Sequence, residues 1–452
     1  MSMDHLKTLN FPPGFIFGVA TSSYQIEGAA FEDGRVPSHW DTFSHTPGKT
    51  HNGDTGDVAC DHYRRYREDI ELMAQIGISS YRFSFAWPRI MTEANTVNQR
   101  GLDFYQRLLD TLLEHNIAPA ATIYHWDLPQ WLADRGGWVN RDTAGYFGDL
   151  AEVLFKTFGD RIHSWITHNE PWCSSFLSYG LGEHAPGHHD WREAVVASHH
   201  ILLSHGETVL RYREMGMKGD IGITLNLTPA YAKTDTEEDR EAATRADGFS
   251  NRWFLDPVLR GGYPDDMLEL FRPYVRADEF IREGDLAAIS RRLDFLGVNY
   301  YTRSVVYHQA HSGLLNLGQV EPPASKATAM GWEVYPDAFY SLLRRLDTQY
   351  PPLPLYITEN GAAYPDVIAP DGMVHDTQRI GYLEQHLAAA QRFAAEGGLL
   401  KGYYLWSLLD NFEWGYGYSK RFGIVHVDFS TQKRLLKESA HWYRNVIASQ
   451  PK

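Results

Sequence analysis

The stretch "HSWITHNEP" (residues 163–171) joins a short apolar run to a polar end that contains Glu170 and Pro171. A second stretch, "LYITENG" (residues 355–361), repeats the arrangement, since its apolar run ends at Glu359 with an asparagine and a glycine behind it. A short apolar run bounded by polar and turn-forming residues is typical of a buried strand. Two such strands, each ending in a glutamate, predict a functional group at the carboxyl end of a sheet.

Eight apolar runs of strand length occur along the chain, and segments with helical periodicity lie between them. The predicted strands are 15–20, 80–87, 118–124, 163–167, 221–227, 293–300, 353–358 and 402–408. The predicted helices are 61–77, 104–115, 143–158, 192–214, 241–254, 337–347, 377–395 and 436–448. Strands that alternate with helices indicate a parallel sheet with right-handed crossovers. Eight is the number of strands that closes a (β/α)8 TIM barrel.

An open doubly wound α/β sheet is the alternative architecture. It would carry a glycine-rich phosphate-binding turn after the first strand, and none is present. No low-complexity tract and no Pro/Ser-rich linker divides the chain. We therefore predict one α/β domain, a single (β/α)8 catalytic barrel over residues 1–452, with its active site at the carboxyl ends of the strands. The segments 31–60, 172–190 and 303–335 are expected to be loops on one rim.

The charge balance argues against two classes of partner. Lys and Arg number 42 against 57 Asp and Glu, so the net charge is 42 − 57 = −15. A nucleic-acid-binding protein needs clustered basic residues, and no basic run appears. The same excess of acid disfavours docking on anionic lipid. We expect a small-molecule partner and neither nucleic acid nor membrane, and a homo-oligomer is compatible with the sequence.

The cysteines and the start of the chain bear on the compartment. Cys60 and Cys173 lie outside any C-x-x-C pattern, which predicts free thiols in a reducing environment. Residues 1–15 contain no apolar core of signal-peptide length. No apolar run approaches the ~20 residues that a membrane span requires. The sequence predicts a soluble, cytoplasmic protein.

Polar and aromatic residues gather at the ends of the predicted strands, where a barrel of this kind carries its chemistry. These residues are Gln25, Arg82, His125, Trp126, Asn169, Glu170, Asn226, Asn299, Tyr301, Glu359, Trp406, Glu413 and Trp414. The set is rich in neutral hydrogen-bonding groups. It suits a ligand that is uncharged and polyhydroxylated.

The two glutamates come from strands four and seven, which lie on opposite sides of the mouth of a closed barrel. Pro171 biases Glu170 towards an extended backbone, which predicts a carboxyl group that points over the mouth. Glycosidic cleavage requires one acid that protonates the leaving oxygen and one carboxylate that attacks or activates water. The surroundings of the two groups must differ so that one stays protonated. If Arg82 reaches Glu359, it favours the ionised form of that carboxyl group.

A metal site is the competing interpretation, because the chain contains 21 histidines. No H-E-x-x-H pattern occurs and no ligand set is evident. His125, with Trp126 and Asp127 beside it, is interpreted as a sugar contact. The other clustered histidines are expected in loops or at the surface: His184, His188, His189, His199 and His200. We expect neither a metal nor a cofactor.

The motifs resemble those of glycoside hydrolase family 1, the retaining β-glycosidases. "THNEP" (167–171) and "ITENG" (357–361) resemble its acid/base and nucleophile motifs. Longer blocks are also similar to the family: "FPPGFIFGVATSSYQIEGA" (11–29), "YRFSFAWPRI" (81–90), "IYHWDLPQWL" (123–132), "GVNYYT" (297–302) and "GYYLWSLLDNFEWGYGYSKRFGIVHVD" (402–428). The resemblance extends from Phe11 to about Trp442.

The resemblance implies a role for each matching residue. Glu170 would be the general acid and then the general base, and Glu359 would be the nucleophile. Arg82 and Tyr301 would orient Glu359, with support from Asn299. The implied sugar-binding residues are Gln25, His125, Asn169, Glu413 and Trp414, with Trp406 as the platform under the ring and Trp332 on the aglycone side. Trp126 is added to these substrate contacts as the neighbour of His125.

The activity implied is that of a β-glucosidase that works by double displacement through a covalent glycosyl-enzyme. Its expected substrates are cellobiose, short cello-oligosaccharides and aryl or alkyl β-glucosides, with tolerance of β-galactosides and β-fucosides. These substrates imply a role in the degradation of cellulose and other polysaccharides. Family members that cleave 6-phosphosugars typically have a small neutral residue in place of Glu413 and a nearby lysine.

Here a glutamate would repel phosphate, and Lys420 is offset from the expected position. We therefore expect unphosphorylated substrates. A 6-phospho-β-glycosidase and a catalytically silent sugar-binding protein remain as alternatives. The presence of both carboxylates disfavours the second.

Overall fold

The computed structural model describes residues 9–451, and its centre is a closed barrel of eight parallel strands. The barrel strands β1–β8 are, in chain order, Ile16–Ala20, Ser80–Ser84, Ala118–Tyr124, Ser164–Asn169, Asp220–Asn226, Phe295–Asn299, Leu355–Asn360 and Leu400–Trp406. Strands pair in chain order, and β8 closes the ring against β1. The predicted (β/α)8 barrel is confirmed. The expectation for the start of the chain falls largely on residues 1–8, which lie outside the described residues.

Helices follow the strands and cover the outside of the barrel. The main helices α1–α9 are His62–Ile76, Gln99–Glu114, Asp142–Phe158, Trp191–Glu214, Glu237–Asp247, Trp253–Arg260, Pro336–Gln349, Thr377–Ala395 and Glu438–Ala448. The helix predicted at 241–254 is divided, because the π-helix Gly248–Arg252 separates α5 from α6. Within residues 9–451, no helix combines the length and the apolar character that a membrane crossing requires.

The helices carry their apolar residues on the face that packs against the barrel. In α2, the buried residues Phe104, Leu108 and Leu112 recur every four positions, which places them on one side of the helix. Two histidines of α4 also lie in this layer. His199 Nε2 contacts Asp285 at 2.8 Å, and His200 Nδ1 contacts a backbone carbonyl at 3.0 Å. The expectation that this pair lies in a loop or at the surface is wrong, because the helix turns both side chains into the core.

Several barrel strands end at other residues than the sequence predicts. The second strand stops at Ser84, because the short helix Trp87–Ile90, with a proline in its first turn, begins three residues later. By contrast, β4 continues to Asn169 and β7 to Asn360. Glu170 therefore directly follows a strand, and Glu359 lies inside the end of one.

The rim segment 31–60 contains the helix His39–Ser44, and the other two segments that were expected to be loops also contain regular structure. The segment 172–190 includes the eight-residue π-helix Cys173–Gly180. The segment 303–335 contributes Ser304–His308 and Leu317–Gln319, which form a three-stranded sheet with Ala230–Ala232. Both segments follow the carboxyl ends of barrel strands, so their position on the rim agrees with the expectation.

The interior of the barrel beneath this rim is polar. Thr224 donates a hydrogen bond to Thr358 at 3.2 Å, and Thr358 donates to Asn299 at 2.7 Å. Gly297 makes room for this chain of side chains, since a Cβ there would lie 2.2 Å from the Thr224 hydroxyl. The floor of the barrel mouth is therefore a set of side chains with fixed hydrogen bonds, which is suited to holding charged groups above it.

Candidate active site

A cavity of about 640 Å³ opens at the carboxyl ends of the barrel strands. Residues singled out in the sequence that line it are His125, Trp126, Glu170, Asn226, Asn299, Tyr301, Trp332, Glu359, Trp406, Glu413 and Trp414. Gln25, Arg82 and Asn169 are fully buried and support this lining by contacts with it. The structure thus brings the sequence-derived residues together in one place.

Glu359 is held at both of its carboxyl oxygens. Arg82 donates from Nη1 to Oε1 at 2.7 Å, and the Tyr301 hydroxyl donates to Oε2 at 2.6 Å. Arg82 is completely buried and Glu359 is 4 % exposed, so the charges of this ion pair are shielded from water. A guanidinium and a hydroxyl that donate to separate oxygens hold the carboxyl group in one orientation.

The residues behind Glu359 explain the "ENG" of its motif. Asn360 donates to the Tyr300 carbonyl at 2.7 Å and accepts from the Tyr403 hydroxyl at 2.6 Å. Gly361 allows the chain to pass against strand β8, since a Cβ there would lie 1.7 Å from the Trp406 carbonyl oxygen. The asparagine and the glycine therefore fix the strand end that carries the glutamate.

Two asparagines connect the surroundings of the two glutamates. Arg82 donates from Nη2 to Asn169 Oδ1 at 2.7 Å. The Asn299 amide donates to the same oxygen at 3.0 Å and to Glu170 Oε1 at 2.6 Å. Because each contact involves a buried side chain, the relative positions of Glu170 and Glu359 are set by one hydrogen-bonded network.

The backbone of Glu170 is not extended as Pro171 predicted. Its φ angle is 51°, in the left-handed region that residues with a side chain rarely adopt. The Glu170 amide donates to the Thr224 carbonyl at 2.9 Å, and its own carbonyl accepts from the Cys173 amide at 2.9 Å. A helical turn begins directly after the glutamate, and this turn outweighs the preference imposed by the proline. Strained backbone of this kind is common at functional sites.

The two glutamates differ in their electrostatic surroundings. Burial raises the pKa of Glu170 to about 8, and the negative charge of Glu359 adds to this effect. Within residues 9–451, the groups that donate to the Glu170 side chain are the neutral Asn299 amide and Cys173 thiol. Glu359, in contrast, has the Arg82 guanidinium at 2.7 Å. A protonated carboxyl group beside a paired carboxylate is the difference that an acid and a nucleophile require.

Aromatic rings surround the glutamates. The rings of His125 and Trp406 stack with centroids 5.8 Å apart, and those of Trp126 and Trp414 lie 4.5 Å apart. Burial and the charge of Arg82 hold the pKa of His125 well below its ordinary value, so the ring is neutral. Flat aromatic faces beside neutral donors and acceptors suit a sugar ring, whose faces are apolar and whose edge carries hydroxyl groups.

Glu413 and its neighbours form one end of the site. Gln25 donates to the Phe412 carbonyl at 2.9 Å and to Glu413 at 3.5 Å, so it holds the segment that carries this glutamate. Gln25 is completely buried, and its direct contact with a sugar stays a prediction. Burial, followed by the charges of Glu359 and Glu170, raises the pKa of Glu413 to about 8.

The raised pKa of Glu413 changes the argument against phosphorylated substrates. A carboxyl group with a raised pKa repels a phosphate less strongly near neutral pH than an ordinary carboxylate does. The position of Lys420 also disfavours a phosphorylated sugar. Its ammonium group donates to the Ala329 carbonyl at 2.6 Å, and the residue does not line the cavity.

His184 and Cys173 are cavity residues whose place the sequence did not indicate. His184 was expected in a loop or at the surface, but it lines the cavity and packs 5.1 Å from Trp126. Cys173 was considered only as a free thiol, which it is, yet its Sγ donates to Glu170 Oε2 at 3.1 Å. The spacing of three residues between Glu170 and Cys173 is informative only once a helical turn is known to begin between them.

Comparison with known proteins identifies the family of the chain. Residues 7–451 match the sequence profile of glycosyl hydrolase family 1. β-Glucosidase A of Acetivibrio thermocellus is 50% identical over 445 residues, which are 98% of this chain and 99% of that protein. The bifunctional β-D-glucosidase/β-D-fucosidase of Bifidobacterium breve is 47% identical over 462 residues, with 98% and 99% covered.

Among solved structures, the family 1 β-glucosidase from Exiguobacterium antarcticum B7 is 54% identical. It superposes with a TM-score of 0.95, and the alignment covers 97% of this chain and 98% of that one. The barrel, the two glutamates at its mouth and the match over nearly the whole chain lead to one conclusion: the chain belongs to glycosyl hydrolase family 1.

Proposed function

We propose that this chain is a retaining β-glucosidase, with Glu359 as the nucleophile and Glu170 as the acid/base. The observation that carries the proposal is the contrast between two buried glutamates in one cavity. Glu359 is paired with Arg82 and bonded by Tyr301, whereas Glu170 contacts neutral donors and has its pKa raised to about 8. Membership of a family of retaining glycosidases supports the same assignment.

The first step forms a covalent glycosyl-enzyme. A Glu359 carboxylate oxygen attacks the anomeric carbon, and the bond from that carbon to the aglycone oxygen breaks. Glu170 transfers its proton to the departing oxygen, so the aglycone leaves as an alcohol. Tyr301 and Arg82 keep the attacking carboxylate in position and accommodate its loss of charge.

The second step releases the sugar. Glu170, now a carboxylate, accepts a proton from water as the water oxygen attacks the anomeric carbon. The bond to Glu359 breaks, and Glu359 returns to its ion pair with Arg82. Two inversions leave the product with the β configuration of the substrate. Each glutamate returns to its starting protonation state, so the cycle balances.

The substrates proposed are cellobiose, short cello-oligosaccharides and aryl or alkyl β-glucosides, with β-fucosides and β-galactosides accepted as well. A relative named for both glucosidase and fucosidase activity supports the tolerance at the sugar. Part of the cavity lining is apolar, which supports aryl and alkyl aglycones: Trp172, Leu177, Phe249, Val306, Leu315 and Leu317. We propose that His125, Trp126, Trp406, Glu413 and Trp414 contact the sugar, and that Trp332 contacts the aglycone.

We also propose that the chain is one catalytic domain and that it works in the cytoplasm. The eight barrel strands are drawn from the whole of the chain, from Ile16 to Trp406, which supports a single unit. Cys60 and Cys173 are buried free thiols, which suits a reducing compartment.

Turnover of 4-nitrophenyl β-D-glucoside tests the proposed activity. We expect a kcat/KM on the order of 10⁴ M⁻¹ s⁻¹ or higher, as is usual for an enzyme on a good substrate. The 6-phosphorylated glucoside should be a much poorer substrate, because Lys420 is engaged with a backbone carbonyl. A preference for the phosphorylated compound would favour the 6-phospho-β-glycosidase alternative. Sugar binding without turnover of either compound would favour a silent binding protein.

Tyr301→Phe tests the proposed support of the nucleophile. The variant removes one hydrogen bond to a buried carboxylate, a contact that contributes roughly 1.5–3 kcal/mol. We expect kcat/KM for the aryl glucoside to fall roughly 10- to 100-fold. Tyr340→Phe is a matched control, because the Tyr340 hydroxyl also donates to a glutamate, Glu396, at an exposed site. Equal activity of both variants would contradict the role of Tyr301.

A further inference from the structure

Cys173 contacts the proposed acid/base directly. We propose that its thiol is a positioning residue, which orients the Glu170 carboxyl group and sets the upper pH limit of its action as an acid. The inference rests on the proposed function of Glu170. Cys173 lies on neither β4 nor β7, the strands whose ends place the two glutamates, because it is the first residue of the π-helix Cys173–Gly180.

The geometry gives each oxygen of Glu170 its own donor. The Cys173 thiol lies 3.1 Å from Oε2, and the Asn299 amide lies 2.6 Å from Oε1. The Cys173 amide also donates to the Glu170 carbonyl at 2.9 Å, so backbone and side chain of the two residues are tied together. Cys173 lines the cavity but is only 6 % exposed. The thiol therefore bonds Oε2, the carboxyl oxygen that Asn299 does not contact.

The surrounding turn fixes the thiol in this place. Ser175 donates to the Pro171 carbonyl at 2.6 Å, and Ser178 donates to the Cys173 carbonyl at 2.7 Å. These hydroxyls satisfy carbonyl groups along the π-helix, a structure that is frequent at functional sites. With the φ of Glu170 at 51°, the chain turns back at once, so that a residue three positions later reaches the carboxyl group.

The thiol acts as a donor under working conditions. Burial, together with the charges of Glu170, Glu359 and Glu183, holds the pKa of Cys173 well above its ordinary value, so the sulfur keeps its proton. A donor aimed at a carboxyl group favours the ionised form of that group. The hydrogen bond from Cys173 therefore lowers the pKa of Glu170, against the larger effect of burial.

The other groups that face Glu170 are named because they act on the same equilibrium. Glu359, on β7, disfavours ionisation of Glu170, and Arg82, on β2, favours it. Glu413, from the segment after β8, also carries a negative charge when ionised and couples to Glu170. Asn299, on β6, is a neutral donor. Replacing Cys173 leaves all four in place, so a change in the titration of Glu170 would report on the thiol.

The pH dependence of kcat/KM tests the proposal. With an alkyl β-glucoside, which needs acid assistance, we expect the alkaline limb of Cys173→Ala to lie about half a unit to one unit above that of the wild type. Cys173→Ser retains a donor, so its limb should stay at or below the wild-type position. Cys60→Ser is the matched control, because Cys60 is a buried thiol that donates to the Asp410 carbonyl at 3.1 Å and should leave the profile unchanged.

A wild-type limb in Cys173→Ala, or equal upward shifts in Cys173→Ala and Cys173→Ser, would overturn the proposal. A second measurement does not need turnover. The Glu170 carboxyl group can be titrated by ¹³C NMR in protein labelled at glutamate, with Glu170→Gln to assign the signal. The midpoint should be higher in Cys173→Ala than in the wild type, and an unchanged midpoint would overturn the proposal. If the wild type cleaves no β-glucoside, the proposed function fails, while this titration still decides whether the thiol acts on Glu170.

Discussion

Glu359→Gln is expected to reduce the turnover of aryl β-glucosides by a factor on the order of 10⁶, as for removal of a nucleophile in a hydrolase. The glutamine amide cannot attack the anomeric carbon. It does retain an oxygen that accepts from Arg82, so the fold and sugar binding should persist. Steady-state kinetics and the thermal unfolding midpoint of the variant check both parts of the prediction.

Glu396→Gln is the matched control for this variant, because Glu396 is an exposed glutamate that accepts from Arg392 at 3.1 Å. It should retain wild-type activity. Substantial turnover by Glu359→Gln, once contamination is excluded, would contradict its role as the nucleophile. An activated 2-deoxy-2-fluoro-β-glucoside adds a direct test, since the fluorine slows both steps and an excellent leaving group restores the rate of the first step only, so that the glycosyl-enzyme accumulates. The label should be found on the peptide that contains Glu359.

Glu170→Gln is expected to impair substrates in proportion to their need for an acid. General acid assistance contributes about 10²- to 10⁴-fold. We expect a loss of kcat/KM in this range for cellobiose and alkyl β-glucosides. A dinitrophenyl β-glucoside, whose leaving group departs as a stable anion, should lose far less. Since kcat/KM reports the first step, it separates this effect from the loss of the base in the second step.

Equal losses of kcat/KM on the two kinds of substrate would argue against the acid role of Glu170. The pH profile offers a further check. The acid must be protonated, and the pKa of Glu170 is raised to about 8 by burial and by Glu359. Activity on alkyl glucosides should therefore be retained below pH ~8 and lost as the pH rises through that value. In Glu170→Gln the residual activity on alkyl glucosides should no longer show this limb.

Much of the fold could be predicted because apolar residues recur with different periods in the strands and the helices of a barrel. The runs at 118–124 and 377–395 match a strand and a helix with the same bounds in the structure. The rim could not be predicted as well. No periodicity in 172–190 indicated the π-helix Cys173–Gly180, and the sheet made by Ser304–His308 depends on the partner strand Ala230–Ala232, which begins 74 residues earlier in the chain.

In the candidate site too, some features could be predicted from the sequence, whereas others depend on tertiary contacts. Arg82 and Tyr301 could be placed beside Glu359 because strand ends in a barrel converge on its mouth. The backbone of Glu170 could not be predicted from Pro171 alone, because its φ of 51° depends on the hydrogen bond to Thr224 and on the turn that follows. The contact from Cys173 was missed for the same reason.

The anomeric configuration of the first product tests directly whether Glu359 acts as a nucleophile in a retaining mechanism. Proton NMR of an aryl β-glucoside, recorded within the first minutes after the enzyme is added, separates the two anomers before mutarotation mixes them. A retaining mechanism predicts that β-glucose appears first and that α-glucose follows slowly. If α-glucose appears first, a single displacement by water has occurred, Glu359 is a base and not a nucleophile, and the proposed mechanism is wrong.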